Sequence, residues 1–189
     1  MRIHSSLLLL AMAALAPGQA ARADGNGASL DEKVAAVVRQ GQPTLEALAA
    51  NRDVVADVLA RDRSTLTGDQ AKALQARWVA PGPPTADLKP YLENRSAAAF
   101  RAASKKTPTL AKVFSLDKAG NVAATAPKCH DFVHGYEPKF LDCYQSGQTK
   151  VNKPALDLTS KTYAVQISVP IKDAQGATAG VLVGTFSLK

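Results

Sequence analysis

The chain of 189 residues is poor in cysteine, tryptophan and long apolar runs, and each shortage narrows what the protein can be. It has 2 cysteines and 1 tryptophan, and aromatic residues make up 5% of the sequence. Its most apolar stretch, residues 7–16, is about ten residues long, whereas a membrane-spanning helix needs roughly 20. A multi-cysteine disulfide scaffold and a bundle of membrane helices are therefore not expected.

Several catalytic signatures are also missing. The sequence contains no Gly-x-Ser-x-Gly nucleophile elbow, no glycine-rich phosphate-binding loop and no Cys-x-x-Cys-His haem attachment site. Residues 115–118 match the Ser-x-x-Lys motif of penicillin-interacting serine enzymes, but no Lys-Thr-Gly strand accompanies them. They also fall in a predicted hairpin turn. We therefore expect no catalysis and no cofactor.

Charge of one sign is not concentrated anywhere along the chain. The formal net charge is +7 at pH 7, but the basic residues are scattered and no basic run is interleaved with aromatic residues. Nucleic-acid-binding proteins usually show such a basic and aromatic surface. Nucleic acid is therefore not an expected partner.

The first 23 residues have the three parts of a secretory signal peptide. Arg2 precedes the apolar run of residues 7–16, and Ala21-Arg22-Ala23 is an Ala-x-Ala cleavage site. No cysteine follows the run, so a lipoprotein anchor is not expected. The pattern predicts an exported, soluble periplasmic protein that begins near Asp24 and does not insert into the membrane after cleavage.

Residues 24–110 read as a helical lead-in. Ser29-Leu30-Asp31-Glu32 and Thr67-Gly68-Asp69-Gln70 are capping boxes, each followed by apolar residues at helical spacing. Gly41-Gln42-Pro43 predicts an interruption of the first helix, and Pro81-Gly82-Pro83-Pro84 predicts the end of a later one.

From about residue 111 the apolar period changes from helical to two, which indicates strands. Residues 117–120 (Asp-Lys-Ala-Gly) form a predicted hairpin turn. The final segment is apolar on both faces, so we expect it to be the central strand. The strands are predicted near 111–117, 121–126, 148–157, 161–171 and 178–188.

Two motifs in this half resemble the Cache (PAS-like, PDC-type) family of extracytoplasmic sensor domains. They are residues 113–124 (Val-Phe-Ser-Leu-Asp-Lys-Ala-Gly-Asn-Val-Ala-Ala) and residues 163–173 (Tyr-Ala-Val-Gln-Ile-Ser-Val-Pro-Ile-Lys-Asp), followed by residues 180–184 (Gly-Val-Leu-Val-Gly). The resemblance implies an α+β fold, with a five-stranded antiparallel sheet in residues 111–189 and a long N-terminal helical region on one face. It also implies a pocket on the other face, closed by a flap that we place at residues 127–146.

The same resemblance implies a function and a set of contacts. The protein is expected to be a periplasmic sensor or accessory module that binds a carboxylate, an amine or an amino acid. It would act through a partner such as a membrane sensor or a transporter. The positions that correspond to ligand contacts in the family are Phe132, His134, Tyr136, Lys139 and Asp157.

Two interpretations compete for the cysteines. Exported chains meet an oxidising compartment, so a disulfide between Cys129 and Cys143 is the favoured prediction. The alternative is a metal site built from Cys129, His130, His134 and Cys143, although their spacing does not match paired zinc ligands. That alternative would make the protein a periplasmic metal- or redox-responsive interaction protein.

Overall fold

The computed structural model describes residues 28–63, 66–157 and 161–188, and the predicted signal peptide lies outside these ranges. Helices dominate the first half and an antiparallel sheet the second, as the change of period predicts. The helices are α1 (Leu30–Ala49), α2 (Arg52–Arg63), α3 (Gly68–Val79), α4 (Lys89–Leu92, preceded by a 3₁₀ turn at Ala86–Leu88), α5 (Arg95–Lys106) and α6 (Pro138–Ser146). The strands are β1 (Leu110–Leu116), β2 (Val122–Ala126), β3 (Lys150–Val151), β4 (Ala155–Asp157), β5 (Thr162–Lys172) and β6 (Thr178–Ser187).

Both predicted capping boxes form, at Ser29 with Glu32 and at Thr67 with Gln70. The predicted interruption of the first helix is wrong, because α1 continues through Pro43. Proline removes one helical hydrogen bond, but packing of an apolar helix face can override such a local cost. Here α1 packs on β5 and β6, and Gly41 touches the Phe186 ring so closely that a Cβ would overlap it.

The sheet has the order β2-β1-β6-β5-β3, with β4 also paired to β5, and all its pairings are antiparallel. The last strand is central, as its apolar pattern predicts. The sheet has six strands instead of five, because the predicted strand at 148–157 is divided into β3 and β4. Pro154 lies in the gap between them and has no N–H for the ladder.

The two faces of the sheet are covered by different parts of the chain. One face carries the odd-numbered residues of β5, such as Val165 and Ile167, which share a core with apolar residues of α1, α2 and α5. The opposite face carries Phe114 of β1 and Val183 of β6, which share a second core with residues of α3, α4 and the 127–146 segment. No helix in the described ranges is long and apolar enough to cross a membrane.

Candidate functional site

The flap, residues 127–146, is tied to the turn between β1 and β2. The Val122 amide donates to the Phe132 carbonyl at 2.9 Å, and the His134 amide donates to the Gly120 carbonyl at 2.8 Å. Between these bonds, Asn121 and Val133 form an antiparallel bridge. Residues 132–134 of the flap are therefore paired with the β1–β2 hairpin like a short additional strand. This pairing holds the flap over the sheet face opposite α1.

Helix α3 holds the flap from its other side. Gln75 Oε1 accepts hydrogen bonds from the amides of Phe132 at 2.6 Å and Val133 at 3.0 Å, and its Nε2 donates to Asp131 Oδ1 at 2.7 Å. Trp78 Nε1 donates to the Cys129 carbonyl at 2.8 Å. Gln75 and Trp78 are three residues apart on one helix face, a spacing that the sequence shows, but nothing in it identifies the flap as their partner.

A cleft of about 270 Å³ lies on the sheet face opposite α1. Its position follows from the alternation in β5, where the even-numbered Ala164 and Gln166 point away from α1, α2 and α5. The lining residues come from the sheet, from β4 with the residues just before it, and from the flap: Lys112, His130, Lys153, Ala155, Leu156, Asp157, Ala164, Gln166 and Thr185. Asp157 therefore lines a cleft on the sheet face where the sequence predicts a pocket.

A row of polar side chains crosses the floor of this cleft. Lys112 of β1 is the register partner of Thr185 in β6, and Thr185 is the partner of Gln166 in β5. Gln166 Nε2 donates to Thr185 Oγ1 at 3.4 Å. At the end of the row, Lys112 Nζ donates to Asp157 Oδ1 at 3.1 Å, and the exposed fractions of the two side chains are 6% and 11%. The cleft thus presents a cation, an anion, an amide and a hydroxyl within a small volume.

Lys112 is a residue that the sequence interpretation missed. It lies in the apolar strand β1, two residues before Phe114, and the whole strand is buried apart from Ala111. A charged residue inside an apolar strand is the signal that identifies it, because buried lysines need a partner.

No family model and no curated protein matches the chain, whereas solved structures match its fold. The sensor domain of E. coli DcuS superposes with a TM-score of 0.51 at 14% identity, covering 84% of this chain and 93% of that domain. The fold is of the Cache type. A ligand-binding domain of the Pseudomonas aeruginosa chemoreceptor PctB, solved with L-Gln, gives a TM-score of 0.45 at 18% identity. There the match covers 82% of this chain and 50% of the PctB domain.

Within this Cache-type fold, the predicted contact Phe132 has a structural role. Its ring is fully buried between Trp78 and Tyr91, with ring centroids 5.4 and 5.0 Å apart. Tyr136, in contrast, is 70% exposed. Neither residue lines the cleft, and contact of either with a ligand stays a prediction.

His134 and Lys139, two further predicted contacts, meet at Glu137. The buried His134 ring stacks on Phe114, its Nδ1 is 2.8 Å from Glu137 Oε1, and its Nε2 is 2.9 Å from the Asp131 carbonyl. Lys139 forms an ion pair with Glu137. Burial alone would raise the pKa of Glu137, but the hydrogen bonds from His134 and Lys139 lower it to about 2. These residues therefore brace the flap.

The predicted disulfide is not formed in the structure, where Cys129 and Cys143 are both free and buried. The disulfide was predicted because exported proteins meet an oxidising compartment and the chain has 2 cysteines. Neither argument determines whether the two side chains point towards each other. Cys129 Sγ instead donates to the Asp131 carbonyl at 3.1 Å, and burial raises the pKa of both thiols to about 12. The His130 side chain is 69% exposed, and its Nδ1 lies 2.9 Å from Asp131 Oδ2. Within the described ranges, no group of histidine, cysteine and acidic residues is arranged to hold a metal ion.

Proposed function

We propose that the protein is an exported periplasmic sensor or accessory module that binds a small ligand in the sheet cleft, performs no catalysis and acts through a partner protein. The observation that carries this proposal is the Lys112–Asp157 pair beside Gln166 and Thr185 in the cleft. Small-molecule sites are typically concave, with a few polar groups that fix the orientation of the ligand. The Cache-type fold supports the proposal by analogy.

The chemistry of the cleft favours a ligand that carries a carboxylate, an amine or both. Lys112 is a nearly buried cation that suits a carboxylate, and Asp157 is a nearly buried anion that suits an amine. Gln166 and Thr185 add donors and acceptors between them. A volume of about 270 Å³ suits an amino acid or a small carboxylic acid better than a nucleotide or an oligosaccharide.

A thermal-shift screen of amino acids, small carboxylates and amines tests the proposal. A ligand that binds only the native state stabilises it by RT ln(1 + [L]/Kd), so true ligands raise Tm in a concentration-dependent way. Trp78 supplies a second readout, because it is the chain's one tryptophan, is buried and donates to the flap at Cys129. Ligand contact with the flap should change its fluorescence.

Gln166→Ala is the matched binding variant, and Gln148→Ala, an exposed position outside the cleft, is its control. Loss of one neutral hydrogen bond costs about 0.5–1.5 kcal/mol, so Gln166→Ala should weaken binding about two- to tenfold. The control should bind like the parent chain. Failure of every compound to raise Tm, or equal affinity of both variants, would contradict the proposal.

Export and the partner are tested in cells. Mass spectrometry of the periplasmic fraction should find a mature chain that begins near Asp24. Cross-linking in the periplasm should then capture a membrane sensor or transporter, and the yield should depend on the ligand found in the screen. A chain that stays in the cytoplasm with Met1 intact would contradict this part of the proposal.

A further inference from the structure

A second cleft lies where helix α5 meets the end of strand β2. Its volume is about 490 Å³, and it shares no lining residue with the cleft on the sheet. Leu92, Ala126 and Pro127 give it an apolar wall, in a surface that is otherwise rich in charged residues. A mostly apolar concave surface of this size falls in the range of ordinary ligand sites.

The charges around this second cleft all have one sign. Arg101, Lys105 and Lys128 line it, and its described lining contains no acidic residue. Two of these cations are held in position: Arg101 donates to the Leu92 carbonyl at 2.9 Å, and Lys128 Nζ lies 5.4 Å from the centroid of the Trp78 ring. An apolar wall beside three cations suits a molecule with an apolar chain and an anionic end.

The hydroxyl group of Ser104 is a third feature that points to a ligand in the second cleft. Its hydroxyl oxygen is shielded from solvent and has no hydrogen-bond partner within the described part of the chain, although the residue lines the second cleft. A buried hydroxyl without a partner costs about 1–3 kcal/mol, so such groups usually have a partner or a function. Rotation of the Ser104 side chain toward the cleft would let that hydroxyl donate a hydrogen bond to a bound carboxylate.

We propose that the second cleft binds an amphiphilic carboxylate with a single apolar chain. The chain lies along Leu92, Ala126 and Pro127, and the carboxylate lies among Lys105, Lys128 and the Ser104 hydroxyl. Inorganic anions and nucleic acids would make no contact with the apolar wall, and neutral apolar molecules would not pair with the three cations. A carboxylate with an acyl chain would contact both the apolar wall and the cations.

Octanoate is the probe, and titration calorimetry of the full exported chain is the measurement. Octanoate should bind saturably, while acetate, which lacks the chain, and octanol, which lacks the charge, should not. Amide resonances of residues 101–105 and 125–128 should shift during the octanoate titration. Equal responses to octanoate and acetate, or shifts confined to other residues, would overturn the proposal.

Two variants with matched charge test the cationic end. Lys105→Gln/Lys128→Gln removes two lining cations, and Arg39→Gln/Lys72→Gln removes two exposed cations elsewhere. The first variant should bind octanoate at least about fivefold more weakly, and the second should bind it like the parent chain. Equal affinities of the two variants would overturn the proposal.

Ser104→Leu and Gln166→Ala separate the two clefts. Ser104→Leu fills the second cleft with apolar atoms, so it should abolish octanoate binding and leave the ligand of the sheet cleft bound. Gln166→Ala should leave octanoate binding unchanged, and a loss there would assign octanoate to the sheet cleft and overturn the proposal. Sedimentation with anionic phosphatidylglycerol vesicles that octanoate does not compete away would identify a bilayer surface as the partner instead, which also overturns it.

Discussion

The Nζ atom of Lys112 in β1 lies 3.1 Å from Oδ1 of Asp157 in β4, although β6 and β5 separate these two strands in the sheet. The pair therefore spans the floor of the sheet cleft and links parts of the chain 45 residues apart. Both side chains are nearly inaccessible to solvent. If the proposed site is correct, a ligand that pairs with either charge must compete with the other charge of the pair, so binding would change the stability of this contact.

The first prediction concerns this pair. Lys112→Met alone removes the cation that pairs with the nearly buried Asp157 carboxylate, so it should lower the free energy of unfolding by about 3–5 kcal/mol. The double variant Lys112→Met/Asp157→Leu removes both charges. It should lower the free energy of unfolding by less than the sum of the losses in the single variants Lys112→Met and Asp157→Leu. Urea unfolding of the parent chain, the two single variants and the double variant measures this coupling. Additive effects would show that the ion pair contributes nothing.

The second prediction concerns the contact between the hairpin turn and the flap. Gly120 has φ +77, and a Cβ at this position would overlap the backbone of Gly135. Gly176 has a similar φ of +82 but open space around it, so Gly176→Ala is the matched control. The control should cost about 1–2 kcal/mol from backbone strain alone. Gly120→Ala should cost at least about 1–3 kcal/mol more, because it also overpacks the flap. Equal losses in thermal unfolding would contradict the tight contact.

The third prediction concerns the thiols. Burial raises the pKa of Cys129 and Cys143 to about 12, so at pH 8 both are thiols and not thiolates. The native protein should react with Ellman's reagent over hours instead of minutes. After unfolding in guanidinium chloride, it should release two equivalents at once. Absence of reaction in the unfolded protein would mean that the cysteines are oxidised, and rapid reaction of the native protein would mean that they are accessible.

The fourth prediction concerns Glu137 and acid stability. Its folded pKa is about 2 against an ordinary value of 4.5, so the carboxylate stabilises the fold fully above pH 4.5. This contribution is lost as the pH falls from 4.5 towards 2, because the unfolded chain takes up the proton first. Glu137→Gln should lower stability at pH 7 by about 1–3 kcal/mol, and its difference from the parent chain should shrink below pH 4.5.

Glu93→Gln, which removes an exposed carboxylate, is the control for Glu137→Gln. It should change stability by less than about 0.5 kcal/mol at pH 7. A constant difference between Glu137→Gln and the parent chain from pH 7 to pH 2.5 would contradict the role of the ionised carboxylate.

Local patterns in the sequence determined much of the fold. The two capping boxes define where α1 and α3 begin, because each satisfies amides that a helix leaves unpaired at its first turn. Strict alternation in β5 and two apolar faces in β6 predicted the sheet and its central strand, because these patterns reflect burial directly. The prediction that Asp157 lies at the wall of a pocket came from the family resemblance combined with the chemistry of its side chain.

Only the tertiary structure decided the partners of these residues. Pro43 should interrupt a helix by its local geometry, but packing against β5 and β6 keeps α1 continuous. Phe132 and Tyr136 look equivalent in sequence, yet one lies between Trp78 and Tyr91 while the other faces solvent. The cleft floor unites Lys112 with Asp157 across two intervening strands. Such pairings depend on distances between segments far apart in the chain, and a local pattern records which face is buried but not what it meets.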